Sequence, residues 1–253
     1  MVPLEVVVRL GSPLAYPCRQ RPFPITLDAL VVALLARREG RRLLEPPDPA
    51  EDPYAPENAP GNGVPLAVAG KKYRFYQASA MELGPGARPF LFGWVRRFPA
   101  EDMLLHSDYG KYEGDVLAPG SGKYRCWMER LPAVAVSEVR FECVGDESRL
   151  RDLLGDLLRT GLGVRRAAGM GEVASVEVRP LDRDMRDAGL FDRYGRPARP
   201  LPAEEFPAGE ERGWVCEWWA YRPPYWSPTS RAWCWVPPVE RWYPYPYPVR
   251  EVG

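Results

Sequence analysis

Two adjacent arginines, Arg165 and Arg166, stand among four glycines in "GLGVRRAAGMG", residues 161–171. Guanidinium groups match phosphate through bidentate hydrogen bonds, and backbone amides exposed between glycines add further donors. The stretch therefore suits an anion held by Gly161, Gly163, Arg165, Arg166, Gly169 and Gly171. It also reads as a helix C-cap followed by a β-bulge with two solvated arginines. Context excludes a nucleotide-cofactor loop. In that arrangement a strand leads into the glycines and a helix follows, whereas here the order is reversed.

Other clusters carry chemistry of the same kind. In "KKYRFY" (71–76) Lys72, Arg74 and Tyr76 fall on one face of a strand, with Lys71, Tyr73 and Phe75 on the other. Interleaved basic and aromatic residues can hold phosphates and stack bases, or form an edge strand with a packed aromatic face. Arg96 and Arg97 beside Trp94 and Phe98 in "GWVRRF" offer the same two readings. In "CEWWAYRPPYW", Trp218, Trp219 or Tyr225 can stack a displaced base or plug a groove on the core. His106 is the one histidine, with Tyr109 and Lys111 close by. It could act as acid or base near neutrality, or be a plain surface residue. There is no G-x-S-x-G elbow, and a Ser-His-Asp or Cys-His arrangement would have to recruit His106.

Composition narrows the classes further. Lys+Arg and Asp+Glu both number 34, so any polyanion-binding surface must come from local segregation of charge. The five cysteines include no C-x-x-C, and with one histidine they argue against both a disulfide scaffold and a zinc site. No metal and no cofactor are expected. No apolar run approaches the roughly 20 residues that span a bilayer, and the N-terminus lacks a signal-peptide pattern. The expectation is a cytoplasmic protein with reduced thiols.

The elements that must position these residues come in two similar sets. "PLEVVVRL" alternates Leu4, Val6, Val8 and Leu10 as a half-buried strand. In "TLDALVVALLARREG" Leu27, Leu30, Val31, Leu34 and Leu35 follow a helical template, with Thr26 as N-cap and Gly40 as stop. The second half repeats this. Val139, Phe141 and Cys143 alternate, and Asp146 caps a helix carrying Leu150, Leu153, Leu154, Leu157 and Leu158. Gly161 ends that helix, and Ala174, Val176 and Val178 alternate again. The predicted fold is α+β: a ferredoxin-like split βαβ core with an antiparallel sheet over residues 1–180. Residues 77–133 read as an insertion in it. Residues 181–253, rich in proline and aromatics, read as a segment packed on the core.

With those elements in place, "GLGVRRAAGMGEV" resembles the glycine-rich signature loop of the RAMP superfamily of CRISPR RNA-binding proteins. "VRFECVGDESRLRDLL", the opening "PLEVVVRLGSPLAY" with "LDALVVALLARR", and "RPPYWSPTSRAWCWVPP" are similar to segments of the Cas-five-type RAMP subunit of type IV CRISPR effectors. The resemblance implies a non-catalytic subunit that caps the 5′ handle of a guide RNA. Its implied partners are a neighbouring RAMP backbone subunit and the large subunit, with no membrane role. Some members of the superfamily cleave precursor RNA without a metal, so an endoribonuclease using His106 is the alternative. A protein-interaction module without RNA binding is a third reading.

Overall fold

The computed structural model describes residues 1–16, 24–41, 52–59, 61–96, 127–225 and 227–243. The protein is a mixed α/β fold with antiparallel sheets and few helices. Its elements run β1 (Val2–Leu10), β2 (Leu14–Ala15), α1 (Leu27–Arg38), β3 (Val68–Ala69), β4 (Phe75–Tyr76), β5 (Glu82–Leu83), β6 (Arg88–Arg96) and β7 (Trp127–Ala135). They continue as β8 (Glu138–Gly145), α2 (Glu147–Leu154), α3 (Leu157–Thr160), β9 (Val173–Pro180), β10 (Leu201–Pro202), β11 (Cys216–Ala220) and β12 (Arg231–Trp235).

The alternation in β1 and β8 has the expected result. Register pairs Leu4 with Cys143, Val6 with Phe141 and Val8 with Val139, so all six share one face. They enter a single buried cluster with Val31 and Leu34 of α1 and Leu150, Leu153 and Leu154 of α2. Burial of this kind contributes about 25 cal/mol per Å² of apolar surface. The sheet order is β5-β8-β1-β9 with every neighbour antiparallel. Its fourth strand, β5, lies inside residues 77–133, the stretch that sequence alone reads as an insertion. Two residues are too short to leave a periodic signal. The rest of that stretch contributes β6 and β7, which pair along their length and form a separate sheet with β2.

Two local expectations are corrected, and a third holds in position only. The second helix does not run unbroken to Gly161. It interrupts at Gly155 and Asp156, and Leu158 is left exposed, in keeping with the cost of glycine inside a helix. In β9 the pairing with β1 shifts between Arg9 and Leu10. That bulge leaves Ala174 exposed and buries Val173 beside Val178. Thr26 occupies the N-cap of α1 without a side-chain capping bond. At α2, by contrast, the Asp146 carboxylate accepts from the Arg149 amide at 3.1 Å as expected.

The aromatic segment after β9 folds rather than trailing. β10, β12 and β11 form a three-stranded sheet, and its Leu201, Trp219, Cys234 and Trp235 join Phe75 of β4 in one buried cluster. Arg199 locks this unit to the rest. Arg199 and Asp28 are each 0% exposed, and Nη2 lies 3.1 Å from Asp28 Oδ2. The same guanidinium donates to the carbonyls of Tyr76, Ala78 and Tyr221 and to the Tyr225 hydroxyl. Tyr225 in turn donates to Asp28 at 3.0 Å. Burial pushes the Tyr225 phenol well above the ordinary tyrosine value.

Removing one partner of such a pair leaves an uncompensated buried charge. Arg199→Met is expected to cost about 3–5 kcal/mol in denaturant unfolding, and pairing it with Asp28→Leu to recover part of that loss. An unchanged midpoint in the single variant would show the pair to be dispensable.

Candidate nucleic-acid interface

The arginine–glycine loop runs from Gly161 to Glu172, between α3 and β9. Its glycines are required for two different reasons. Gly171 has φ +68°, and a Cβ there would stand 1.8 Å from the Leu162 carbonyl oxygen. At Gly163, with φ +78°, a Cβ would meet Leu14 Cδ1 at 2.6 Å and the Ala15 carbonyl oxygen at 2.8 Å. Gly169, with φ +78°, faces open space and needs only the left-handed conformation. The surface that the glycine backbone approaches so closely is therefore the protein's own.

Hydrogen bonds fix the approach. Gly171 N donates to Pro13 O at 2.7 Å, Val164 N to Ala15 O at 3.2 Å, and Glu172 N to Ser12 Oγ at 2.8 Å. Val164 and Met170 pack against Ala15, Ala133 and Phe92, seating the loop on the sheet of β2, β7 and β6. Sequence reasoning could not identify this docking surface, because Leu14 and Ala15 lie almost 150 residues away with no pattern linking them to the loop.

On this pinned frame Arg166 faces outward. Arg166 and Ala167 are exposed, and their amides donate to no backbone acceptor among the described residues. Arg165 is half-buried with φ 59° and ψ 31°, the one non-glycine residue at positive φ among those described. Such a conformation costs about 1–3 kcal/mol and persists where the surroundings enforce it, often at functional sites. Beside it a cavity of 210 Å³ is lined by Arg159, Gly161, Arg166, Gly169, Gly171 and Glu172, among others. Arg159 there is paired with Asp156 at 3.0 Å. The site can thus offer an exposed guanidinium and backbone donors to a phosphate-sized anion.

The "KKYRFY" segment does not form the strand expected of it. Residues 71–73 form a bend, and the strand is limited to Phe75 and Tyr76, both buried. The alternating basic and aromatic faces expected of "KKYRFY" do not form. Lys72 is paired with Glu204 at 2.5 Å, and the amides of Lys71, Lys72 and Tyr73 converge on one Glu205 carboxylate oxygen. Arg74 is half-buried. Arg96 closes β6, but its side chain, Arg97 and the residues His106, Tyr109 and Lys111 lie outside the described residues.

The sheet face opposite the helices is not an aromatic platform either. By alternation it carries Glu5, Val7 and Arg9, Glu138, Arg140 and Glu142, and Ser175, Glu177 and Arg179. These charges pair among themselves: Arg179 with Glu5 at 2.5 Å, Arg140 with Glu138 at 2.5 Å and Arg9 with Glu177 at 3.6 Å. Arg183, from the segment after β9, joins them through Glu142 at 2.5 Å. No group of three or more potential metal-ligating side chains occurs among the described residues. Nor is any described helix long and apolar enough to cross a membrane.

The family match makes the chain a component of a type IV CRISPR effector. The family model for CRISPR type IV associated protein Csf3 matches residues 2–237, and the chain belongs to that family. As a type IV CRISPR-associated protein it works in a complex with other subunits. No curated protein matches the chain.

The geometry of the glycines sets an order of tolerance. Gly169→Ala is expected to cost about 1 kcal/mol, the penalty of a left-handed alanine in open space. Gly171→Ala must also displace Leu162 backbone and is expected to cost more than about 2 kcal/mol. Denaturant midpoints of the two variants compare these costs, and equal losses would contradict the close approach.

Proposed function

We propose that this protein is a non-catalytic RNA-binding subunit that caps the 5′ handle of a guide RNA within a type IV effector. It would do so as a Cas-five-type member of the RAMP superfamily, contacting the neighbouring backbone subunit and the large subunit. The observation that carries the reading is the loop itself. An exposed Arg166 follows a left-handed Arg165 on a backbone pinned to Pro13 and Ala15. Phosphate contacts of this type position an RNA without reading its sequence. Family membership supports the setting, a type IV CRISPR complex of several subunits.

The core supports the same reading. The order β5-β8-β1-β9, with α1 following β1 and α2 following β8, agrees with the split βαβ plan of a ferredoxin-like domain. The glycine loop then falls directly after the second helical stretch and before the last sheet strand, as in the superfamily it resembles.

The test is fluorescence anisotropy of a labelled repeat-derived RNA across a salt titration. Because Arg166 is exposed, Arg166→Glu is expected to leave the thermal melt unchanged while weakening binding. It should also make the salt slope shallower by about 0.7 for each single-strand phosphate that the variant no longer neutralises. Identical affinity and slope in the variant would remove the loop from the RNA.

A further inference from the structure

The tryptophans of the C-terminal sheet divide sharply by exposure. Trp219 is 4% exposed and belongs to the inner cluster, whereas Trp218 and Trp233 are 48% and 61% exposed. The last two are direct cross-strand partners on β11 and β12. Their ring centroids stand 5.9 Å apart at an interplanar angle of 73°. Leaving two indoles in water forgoes a large apolar burial, so their position on a well-paired sheet calls for a ligand.

The charge on this face indicates which ligand. Alternation and register place Cys216, Trp218 and Ala220 beside Trp235, Trp233 and Arg231. Arg231 is exposed, and among the described residues of β11 and β12 no acid shares the face, because Glu217 lies on the other side of the strand. In a chain of zero formal net charge, a strand pair whose described residues present one cation, no anion and two open indoles on one face is complementary to a strand that carries both phosphates and bases. Stacking requires bases with free faces, so the strand must be single.

We infer that Trp218 and Trp233, flanked by Arg231, form a stacking platform for unpaired bases of single-stranded RNA, separate from the glycine loop. The ligand class rests on the RNA-binding reading above, but the two surfaces lie on different sheets and fail independently. The loop holds phosphate through Arg166, and the platform holds bases through the indoles. Base stacking on an aromatic side chain is tolerant of sequence, so the platform adds affinity without choosing a sequence.

The probes are a labelled oligouridylate and an abasic strand of the same length and backbone. Wild type is expected to bind the oligouridylate more tightly. Trp218→Ala/Trp233→Ala should weaken that binding by at least about tenfold while leaving the abasic strand and the salt slope unchanged. Trp218→Phe/Trp233→Phe should retain most of the affinity, which separates stacking from a folding defect. Arg166→Glu should instead weaken both strands and flatten the slope. An effect of the tryptophan variants without one of Arg166→Glu would keep the platform and discard the loop. The inference is overturned if the alanine variant binds oligouridylate like wild type, or if wild type binds neither strand or both equally. It is also overturned if the tryptophans affect only association with another protein subunit, which would make the pair a protein-docking site.

Discussion

A guanidinium with no access to water joins three distant parts of this chain. Arg199 meets Asp28 at the start of α1, the carbonyls of Tyr76 and Ala78 in the middle segment, and Tyr221 and Tyr225 after β11. Burial alone would lower the pKa of Arg199, but the adjacent Asp28 carboxylate outweighs it and the net shift is upward. A buried charge is tolerable only when its geometry is fully determined by partners. The requirement runs in both directions. α1 cannot turn about its axis, β4 cannot slide, and the C-terminal sheet cannot lift away without stranding an ion in an apolar interior. Stacking over Phe75 at 4.9 Å adds a further orientation constraint on the same group.

That constraint explains why the aromatic C-terminal segment behaves as part of the core. Phe75 contributes to the inner cluster of the second sheet, while Trp242 and Tyr243 enter the main cluster with Tyr16. The Tyr16 hydroxyl donates to the Trp242 carbonyl at 2.5 Å, and the Tyr16 and Tyr243 rings meet edge-on at 5.2 Å. A second clamp acts between the helices. Arg38, legible in sequence only as a cation suited to a helix C-terminus, reaches Asp152 at 2.6 Å and Asp156 at 2.5 Å. α1 is thus held at both ends, by the buried pair to the C-terminal segment at its start and by an exposed fork to the second helical stretch at its end.

What was legible in the sequence follows from the range of the interactions. β1, β8 and both main helices announce themselves, because period-two and helical spacing are local signals that burial then enforces. The N-cap Asp146 was equally legible, being a bond over three residues. β5 was not, since a two-residue strand is defined by its partner Val139–Arg140 rather than by its own pattern. The same limit applies at the candidate site. The sequence marks the glycines and arginines but cannot distinguish close approach to RNA from close approach to Leu14. It likewise presents Trp218 and Trp219 as equivalent neighbours, and only their placement on opposite faces of β11 separates a core residue from an exposed one.

The zero net charge then takes on a structural meaning. Arginine is used here first to satisfy acids: on the four-stranded sheet Arg9, Arg140 and Arg179 are met by Glu177, Glu138 and Glu5. Even the amides around Lys72, which would suit an anion, are filled by Glu205. Self-neutralised surfaces of this kind have little reason to attract a polyanion at physiological ionic strength, where the field of a paired charge is screened within about 8 Å. Specific attraction would then arise where an outward arginine is not tied to an acid, as at Arg231 beside the exposed indoles and at Arg166, whose cavity Glu172 also lines. On the proposed RNA-binding reading, balanced charge over most of the described surface would favour such places, and so serve the placement of a strand as well as its capture.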